Sequence, residues 1–356
     1  MKILHITAHM GDGAGKAISG LAISGSAGGS NTHGIMLLGK PQKDNHIKHC
    51  LSAGISVRDY NPERITGADI VVLNWWSGAA MERFAANFPE IPCRVAVWSH
   101  INGLVSPPLP PELVQNCDCL LATSPVTLEK FGDLRRNALV YGFGDFLPER
   151  MPFKDGYSLK NDEFVIGYVG MPSWKRLPRD FFDYCREAVR RIPNCKFIMA
   201  GEASDEFRQA LSESGIAERF TLLGWVSDVA GLLLKFDVFG YLMCEDTSAT
   251  TENSVLEALA AGVPAVVSRK PIGKYLFDDG VSGFLTDSPE DYGGILARLY
   301  ADGQLRTRIG KAGREHAIRV YRADENLNRF NTACESIMQK PKTIHKLMKE
   351  KNNGES

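Results

Sequence analysis

Short apolar runs alternate with amphipathic stretches along almost the whole chain. In the first half, six runs are predicted to be buried strands: KILHIT, HGIMLLG, DIVVLNW, RVAVWS, CLLATS and a stretch near NALVYG. Helices are predicted between them at residues 16–24, 79–87 and 125–131. Apolar strands that alternate with helices in this way indicate a parallel sheet joined by crossover helices.

The pattern stops at residues 142–162 and then begins again. That stretch, GFGDFLPERMPFKDGYSLKND, is rich in glycine, proline and charge, which predicts a linker. Six further strands are predicted beyond it, at EFVIGYVG, KFIMAG, FTLLG, DVFGYLM, PAVVS and GFLT, with helices at residues 178–191, 204–214, 228–235 and 252–261. The sequence therefore predicts two doubly wound α/β halves. Because such sheets bind ligands beyond the carboxyl ends of their strands, we expect a cleft between the halves.

Composition places the chain among ordinary globular proteins. Its 356 residues favour about two domains, and a content of 44% hydrophobic and 23% charged residues excludes a disordered chain. The 41 Lys and Arg residues balance 42 Asp and Glu residues, a net charge of −1. This balance provides no electrostatic footprint for nucleic acid, so no nucleic-acid partner is predicted.

The cysteines and the ends of the chain point to the cytoplasm. The eight cysteines are scattered and contain no C-x-x-C pair, which argues against a zinc site or a disulfide framework. The N-terminus lacks the apolar stretch of a signal peptide, and no run approaches a membrane span. The lysine-rich tail from Gln339 has enough charge for peripheral contact with an anionic inner membrane surface, although a frayed, solvated tail is the simpler interpretation.

In each half, one glycine-containing loop follows the first predicted strand. In GDGAGKAISG, residues 11–20, the glycines allow close backbone approach and the helix start offers N–H groups to a phosphate. The loop matches neither a P-loop nor a dinucleotide fingerprint, so a tight turn without a ligand is equally consistent. In the second, GYVGMPSWKRL, Gly170 ends the strand and precedes Lys175 and Arg176. This pair is either two solvated cations or a site for a departing diphosphate.

The third motif, CEDTSATTENSVLEALAAGVPAVVS at residues 244–268, is the most specific. It predicts a loop, a helix from about residue 252, and a buried strand. Backbone N–H groups of Asn253, Ser254 and Val255 would face a phosphate at the helix start. Glu257 shares their helix face, where its carboxylate can accept both hydroxyls of a ribose. Alternatively, it is an exposed glutamate that the helix dipole favours.

The stretch ENSVLEALAAGVPAVVS, with GFLT beyond it, resembles the nucleotide-sugar signature of family 4, or group 1, glycosyltransferases of the GT-B fold. The similarity extends over roughly residues 1–330 through GDGAGKAISGLA, ADIVVLNWW, VAVWSH and VIGYVG. The resemblance implies two Rossmann-like domains that face each other across a cleft. It places acceptor binding at residues 1–150, donor binding at 151–320, and a returning helix with a basic tail at 321–356.

This resemblance also implies an activity. Such enzymes are retaining, use no metal or other cofactor, and move a hexose from a UDP- or GDP-sugar to a glycan, a lipid-linked acceptor or a small molecule, as in polysaccharide or envelope glycan biosynthesis. The resemblance implies a role for each candidate residue. His100 faces the donor sugar, and Gly13 and Gly15 lie beside the phosphate. In the donor domain, Gly170 belongs to the same site, Lys175 or Arg176 matches the family's lysine, and Glu257 holds the ribose. The diphosphate is bound by Asn253, Ser254 and Val255.

Two positions depart from the family pattern. Ala249 replaces the first glutamate of the family's pair, and Met171 replaces an arginine. Glu252, or the nearby Glu245 or Asp246, would have to replace the first carboxylate, and Arg176 the missing cation. These departures favour one alternative, a non-catalytic nucleotide-sugar-binding relative or partner subunit. An epimerase and a nicotinamide-dependent dehydrogenase are less consistent, because the chain lacks a convincing acid/base set and a dinucleotide fingerprint.

Overall fold

The computed structural model describes residues 1–29, 31–40, 44–76, 78–105, 108–132, 136–157 and 163–349, apart from the side chains of Asp12 and Ala14. The chain forms two compact units. The first contains Met1–Phe146, the short segment Ser248–Thr251 and the chain from Ala323 onward, and the second contains Leu147–Thr247 and Glu252–Arg322. The predicted linker contains the boundary at Phe146, and its residues 158–162 lie outside the described chain.

The first unit is a doubly wound α/β domain. Its described strands are β1 (Lys2–Thr7), β2 (Thr32–Leu37), β3 (Ser56–Asp59), β4 (Ile70–Trp75), β5 (Val95–Ser99), β6 (Cys119–Ala122) and β7 (Asn137–Leu139). They form one parallel sheet in the order β3-β2-β1-β4-β5-β6-β7. Every residue of β4 and β5 is buried, because central strands of a parallel sheet are covered on both faces.

Helices and two apolar cores cover this sheet. The helices up to the predicted linker are α1 (Asp12–Ala27), α2 (Asn45–Ser52), α3 (Glu63–Thr66), α4 (Ala79–Ala86), α5 (Pro111–Asn116) and α6 (Pro125–Phe131). One core contains Ile18 and Leu21 of α1, and the other contains Met81 and Ala85 of α4. The two cores fix the sheet between layers of helices, as the doubly wound architecture requires.

The second unit repeats the design. Its described strands are β8 (Phe164–Val169), β9 (Cys195–Ala200), β10 (Phe220–Gly224), β11 (Val238–Tyr241), β12 (Ala265–Ser268) and β13 (Phe284–Thr286). The parallel order is β10-β9-β8-β11-β12-β13. The helices are α7 (Phe181–Arg191), α8 (Asp205–Glu213), α9 (Val229–Leu233), α10 (Asn253–Ala260), α11 (Pro289–Ala301) and α12 (Gly303–Val320).

In both sheets the strand order reverses beside the first strand. Connections leave β1 and β4 in opposite directions, and the same holds for β8 and β11. Such a switch point leaves a crevice at the carboxyl ends of the two strands. Each unit therefore has its own natural ligand position, and the glycine loops and the third motif follow strands that border these positions.

The predicted fold class, two doubly wound Rossmann-like halves, is confirmed. Some short elements were not expected: β3, α2, α3 and α5. β3 is the edge strand SVRD, whose two charged side chains are exposed, so it presents no apolar run. Helix α1 begins at Asp12, four residues before its predicted start, because the glycines that suggest a loop are part of the helix.

The tail is held against the first unit. After α13 (Ala323–Met338), Thr343 pairs with Cys93 in an antiparallel bridge, and the Lys342 ammonium donates to the carbonyl oxygen of Ala68 at 2.6 Å. Leu347 is fully buried in the core that contains α4. The interpretation of a frayed, solvated tail is therefore wrong up to residue 349.

All eight cysteines are buried free thiols, and they pack as small apolar side chains. Among the helices that the structure describes, none combines the length and apolar character needed to cross a bilayer.

Candidate active site

The glycine loop of the first unit opens α1 directly after β1. Gly11 is the N-cap of α1 and has no side-chain hydrogen bond to offer. Gly13 is exposed, and apart from its chain neighbours and the backbone of α1, no atom of the described residues lies within 4 Å of the position that a Cβ would take. At Gly15 a Cβ would lie 2.2 Å from the carbonyl oxygen of Met10 and 2.5 Å from the ring of His46. Gly13 therefore leaves room for a ligand, whereas Gly15 is required by packing.

His100 follows β5 and is buried. Its Nε2 lies 3.3 Å from Oδ1 of Asn74, and the ring of Trp76 stacks on it with centroids 4.3 Å apart and planes 2° apart. Burial lowers the pKa of His100 to about 3, so the imidazole is neutral at physiological pH. Its Nδ1 is buried and has no hydrogen-bond partner among the described residues.

The partners of Asn74 assign the tautomer of His100. The Asn74 amide nitrogen donates to the carbonyl oxygens of Ile6 and Val72, both at 3.3 Å. Its oxygen is then the acceptor, so Nε2 of His100 carries the proton and Nδ1 is a bare acceptor. A neutral histidine in this state accepts a hydrogen bond from a hydroxyl group.

A short segment of the third motif belongs to the first unit. The Asn102 backbone N–H donates to the carbonyl oxygen of Ser248 at 3.1 Å, and its side chain donates to that of Ala249 at 3.0 Å. The Thr251 hydroxyl donates to the carbonyl oxygen of Thr123 at 3.1 Å. Ala249 is only 9% exposed. The position that carries a glutamate in the family pattern thus contributes backbone contacts.

In the second unit, two glycines meet at the ends of β8 and β9. Gly170 has a φ of 154°, and its N–H donates to the carbonyl oxygen of Ala200 at 2.9 Å. A Cβ on Gly201 would lie 1.9 Å from the carbonyl oxygen of Gly170. Side chains are excluded here, so the backbone at the switch point stays uncovered.

Lys175 and Arg176 have different neighbours. Cys244, in the loop after β11, donates its N–H to the carbonyl oxygen of Arg176 at 2.9 Å, and Nη1 of Arg176 lies 3.9 Å from Oε1 of Glu252. Burial alone would lower the pKa of Arg176, but Glu252 and two tyrosines raise it above its ordinary value. The Arg176 side chain is 53% exposed, and Lys175 is exposed as well. Its charge acts on Glu206 of α8, where it adds to backbone and Ser204 hydrogen bonds that lower the pKa of that carboxyl.

Glu252 is the N-cap of α10. Its backbone is left-handed, with φ 33° and ψ 72°, and among the described residues it is the one non-glycine residue with positive φ. The hydroxyl of Tyr241 donates to its carboxylate. The ring of Tyr168 stacks on Tyr241 with centroids 5.3 Å apart. The candidate site therefore contains a buried carboxylate between a phenol and a guanidinium.

The first turn of α10 provides fewer donors than the sequence predicts. The N–H of Val255 donates to the carbonyl oxygen of Glu252 at 2.9 Å, so it is used within the turn. Asn253 and Ser254 are the first two residues of the helix, and Oδ1 of Asn253 is buried without a partner among the described residues. Glu257 lies one turn further along and is half-buried.

Sequence analysis missed the residues that hold these groups in place. Tyr168 and Tyr241 stand inside apolar runs that predict strands, and Asn74 and Trp76 stand at the end of another. The available signal was a polar or aromatic residue at the carboxyl end of a strand beside the switch point. Within the described chain, no cluster of three or more His, Cys, Asp or Glu side chains is arranged to hold a metal ion.

The two units have the GT-B fold. A structure of HepE from Anabaena in complex with UDP matches 94% of this chain and 100% of its own with a TM-score of 0.75 at 16% identity. The apo form of the lipopolysaccharide outer core galactosyltransferase WaaB matches 94% of this chain and 99% of its own with a TM-score of 0.70, also at 16% identity. At these identities the matches establish the fold alone.

Sequence matches link the second unit to one family. Residues 163–302 match the family described as Glycosyl transferases group 1, and the second unit thus carries a domain of this family. The chain is 26% identical over 206 residues to the lipopolysaccharide core biosynthesis glycosyltransferase LpsE of Rhizobium meliloti (strain 1021), which is 56% of this chain and 59% of LpsE. It is 26% identical over 160 residues to the alpha-monoglucosyldiacylglycerol synthase of Acholeplasma laidlawii, 44% of this chain and 40% of that protein. The chain spans about half the length of these relatives.

Proposed function

We propose that the protein is a retaining glycosyltransferase that moves a hexose from a nucleoside-diphosphate sugar to a glycan, lipid-linked or small-molecule acceptor. The observation that carries this proposal is Arg176 beside the N-terminus of α10, at the switch point of the second sheet. The likeness to LpsE and to the fold of a UDP-bound HepE supports it. We place its role in polysaccharide or envelope glycan biosynthesis, in the cytoplasm.

The second unit would bind the donor. The Arg176 guanidinium and the N–H groups of Asn253 and Ser254 would stabilise the negative charge that grows on the leaving diphosphate. Glu257, one turn further along α10, would accept hydrogen bonds from the ribose hydroxyls. Because the protein itself supplies these positive charges, neither a metal nor another cofactor is proposed.

The first unit would bind the acceptor and contribute His100. Nε2 is bound to Asn74 and Nδ1 is unpaired but buried, so the imidazole would accept a hydrogen bond from a sugar hydroxyl once the groups around Nδ1 move aside. Its lowered pKa argues against a role as a cation or general acid near neutral pH. Gly13 would leave space for a ligand at the start of α1.

A second candidate is a nucleotide-sugar-binding protein without transferase activity. Two positions favour this second candidate. Met171 is 59% exposed and uncharged. Ala249 is buried, and its backbone carbonyl oxygen accepts a hydrogen bond from the Asn102 side chain. This protein would bind the same nucleotide but would not cleave the sugar. Binding therefore tests the site, and release of the nucleotide tests the activity.

The donor site is tested by calorimetric titration with UDP, GDP and their hexose conjugates in the presence of a chelator. We expect one nucleotide to bind, and Arg176→Ala to weaken it about 10- to 100-fold, the usual value of a hydrogen bond to a charged group. Lys175→Ala, a charge-matched change next to it, should cost less than threefold. Glu257→Ala should lower the affinity for the nucleotide but leave the affinity for inorganic pyrophosphate unchanged.

Two results would contradict this assignment. If no nucleotide binds, the donor site is absent and the proposed function fails. If Lys175→Ala weakens binding as much as Arg176→Ala, the diphosphate is not held by the cation beside α10, and only the overall positive charge of the loop matters.

A further inference from the structure

The backbone of Glu252 adopts a conformation that a glycine would adopt at no cost. The left-handed region is strained for a residue with a side chain, and such strain persists where the surroundings hold it, most often at functional sites. The Glu252 side chain is only 9% exposed, so the strain serves to direct a carboxylate inward. A glutamate whose carboxylate faced only solvent would not require a left-handed backbone.

Two groups meet that carboxylate. Tyr241, which is 3% exposed, donates its hydroxyl to it and is itself packed between the rings of Tyr168 and Phe239, with centroids 5.3 and 5.7 Å away. The phenol is therefore rigid, and it fixes one oxygen of Glu252. Burial, with the Glu252 charge as the next contribution, raises the pKa of Tyr241 well above its ordinary value, so the phenol remains a donor.

Arg176 is the second group. Its Nη1 lies 3.9 Å from Oε1 of Glu252, beyond hydrogen-bond distance. The ion pair thus restricts the position of the guanidinium, while the N–H donors of the guanidinium stay available. Its side chain is 53% exposed, which leaves those donors accessible to a ligand. The Arg176 backbone is already fixed by the bond from Cys244, so Glu252 restrains the part of the residue that remains free.

We propose that Glu252 is a positioning residue that holds the Arg176 guanidinium at the start of α10 for the diphosphate of the donor. This inference rests on the proposed function. Met171 is uncharged where the family pattern has an arginine, and a restrained Arg176 side chain loses less conformational entropy when it binds. Glu252 accordingly acts on the cation, and does not replace Ala249 as a contact for the donor sugar.

A double-mutant cycle tests the proposal. The affinity for the nucleotide that binds wild-type protein is measured for Glu252→Gln, Arg176→Ala, the double variant and Tyr241→Phe, with Glu218→Gln as an exposed, charge-matched control. We expect Glu252→Gln to weaken binding about five- to twentyfold, within the range of coupling for neighbouring charged residues. In the Arg176→Ala background the same change should alter affinity less than twofold. Tyr241→Phe should also weaken nucleotide binding, and Glu218→Gln should leave it unchanged.

A measurement without ligand separates this inference from the proposed function. The side-chain Nε–H group of Arg176, followed by ¹⁵N relaxation, should be more mobile in Glu252→Gln than in wild type, while thermal stability stays within a few degrees. Unchanged mobility would overturn the positioning role whether or not a nucleotide binds. Equal or tighter nucleotide binding by Glu252→Gln would also overturn it, because the carboxylate would then only repel the diphosphate. If wild type binds no nucleotide but the mobility differs, the proposed function fails while the restraint on Arg176 stands.

Discussion

At the scale of single residues, the candidate site depends on which polar atoms already have partners. Asn74 uses its amide nitrogen on two carbonyl oxygens and so imposes one tautomer on His100. Tyr241 donates its hydroxyl to the Glu252 carboxylate and so fixes one of its oxygens. In both cases a buried strand residue limits what the neighbouring side chain can offer to a ligand.

The state of His100 can be tested by NMR titration. Because burial lowers its pKa to about 3, the folded protein keeps the imidazole neutral, and its ring signals should not shift between pH 5 and 8. The unfolded chain binds a proton near pH 6.5, so this histidine lowers stability as the pH falls below that value. A His100 midpoint above pH 5 would contradict the buried neutral tautomer.

At the scale of elements, the tail shows how far a local pattern can mislead. Its lysines suggest a solvated segment, but Lys340 and Lys342 donate to the carbonyl oxygens of Asp118 and Ala68. Burial alone would lower the pKa of His345, yet a hydrogen bond with Asp118 raises it above its ordinary value. The charged side chains of the tail therefore form hydrogen bonds with the first unit, and Leu347 adds an apolar contact.

Docking of the tail is tested by Leu347→Ala. Leu347 is fully buried, so we expect its truncation to lower the free energy of unfolding by about 2–4 kcal/mol. Ile344→Ala, three residues earlier and 53% exposed, should change it by less than about 0.5 kcal/mol. Chemical denaturation measures both. Equal small effects for the two variants would mean that the tail does not pack on the first unit.

The elements that sequence predicts well are those whose own residues determine them. β4 and β5 are continuous apolar runs and lie where they were expected. β3 was missed because an exposed edge strand does not need apolar residues. The motifs indicated Glu257 and either Lys175 or Arg176, but the contacts of Tyr241 and Asn74 become visible only in the folded chain. The different neighbours of Lys175 and Arg176 likewise become visible only in the fold.

At the scale of the whole molecule, each of the two units has a parallel sheet that reverses its order beside its first strand. HepE and WaaB share this fold at 16% identity, so the architecture persists while most side chains change. The fold therefore provides a crevice at each switch point but does not choose a ligand or a reaction. Under the proposed function, that choice depends on Arg176, Glu252 and α10, and on Ala249 and Met171.

The most direct test of the central claim is an NMR assay of sugar-nucleotide cleavage. Purified protein is incubated with α-linked UDP- and GDP-hexoses in the presence of a chelator, first with water and then with glycan and lipid-linked acceptors, and the products are followed at the anomeric carbon. We predict release of one nucleoside diphosphate, unaffected by the chelator, with the transferred sugar in the α configuration. Binding without release from any donor would contradict a transferase and favour the non-catalytic relative, and a β product would contradict retention.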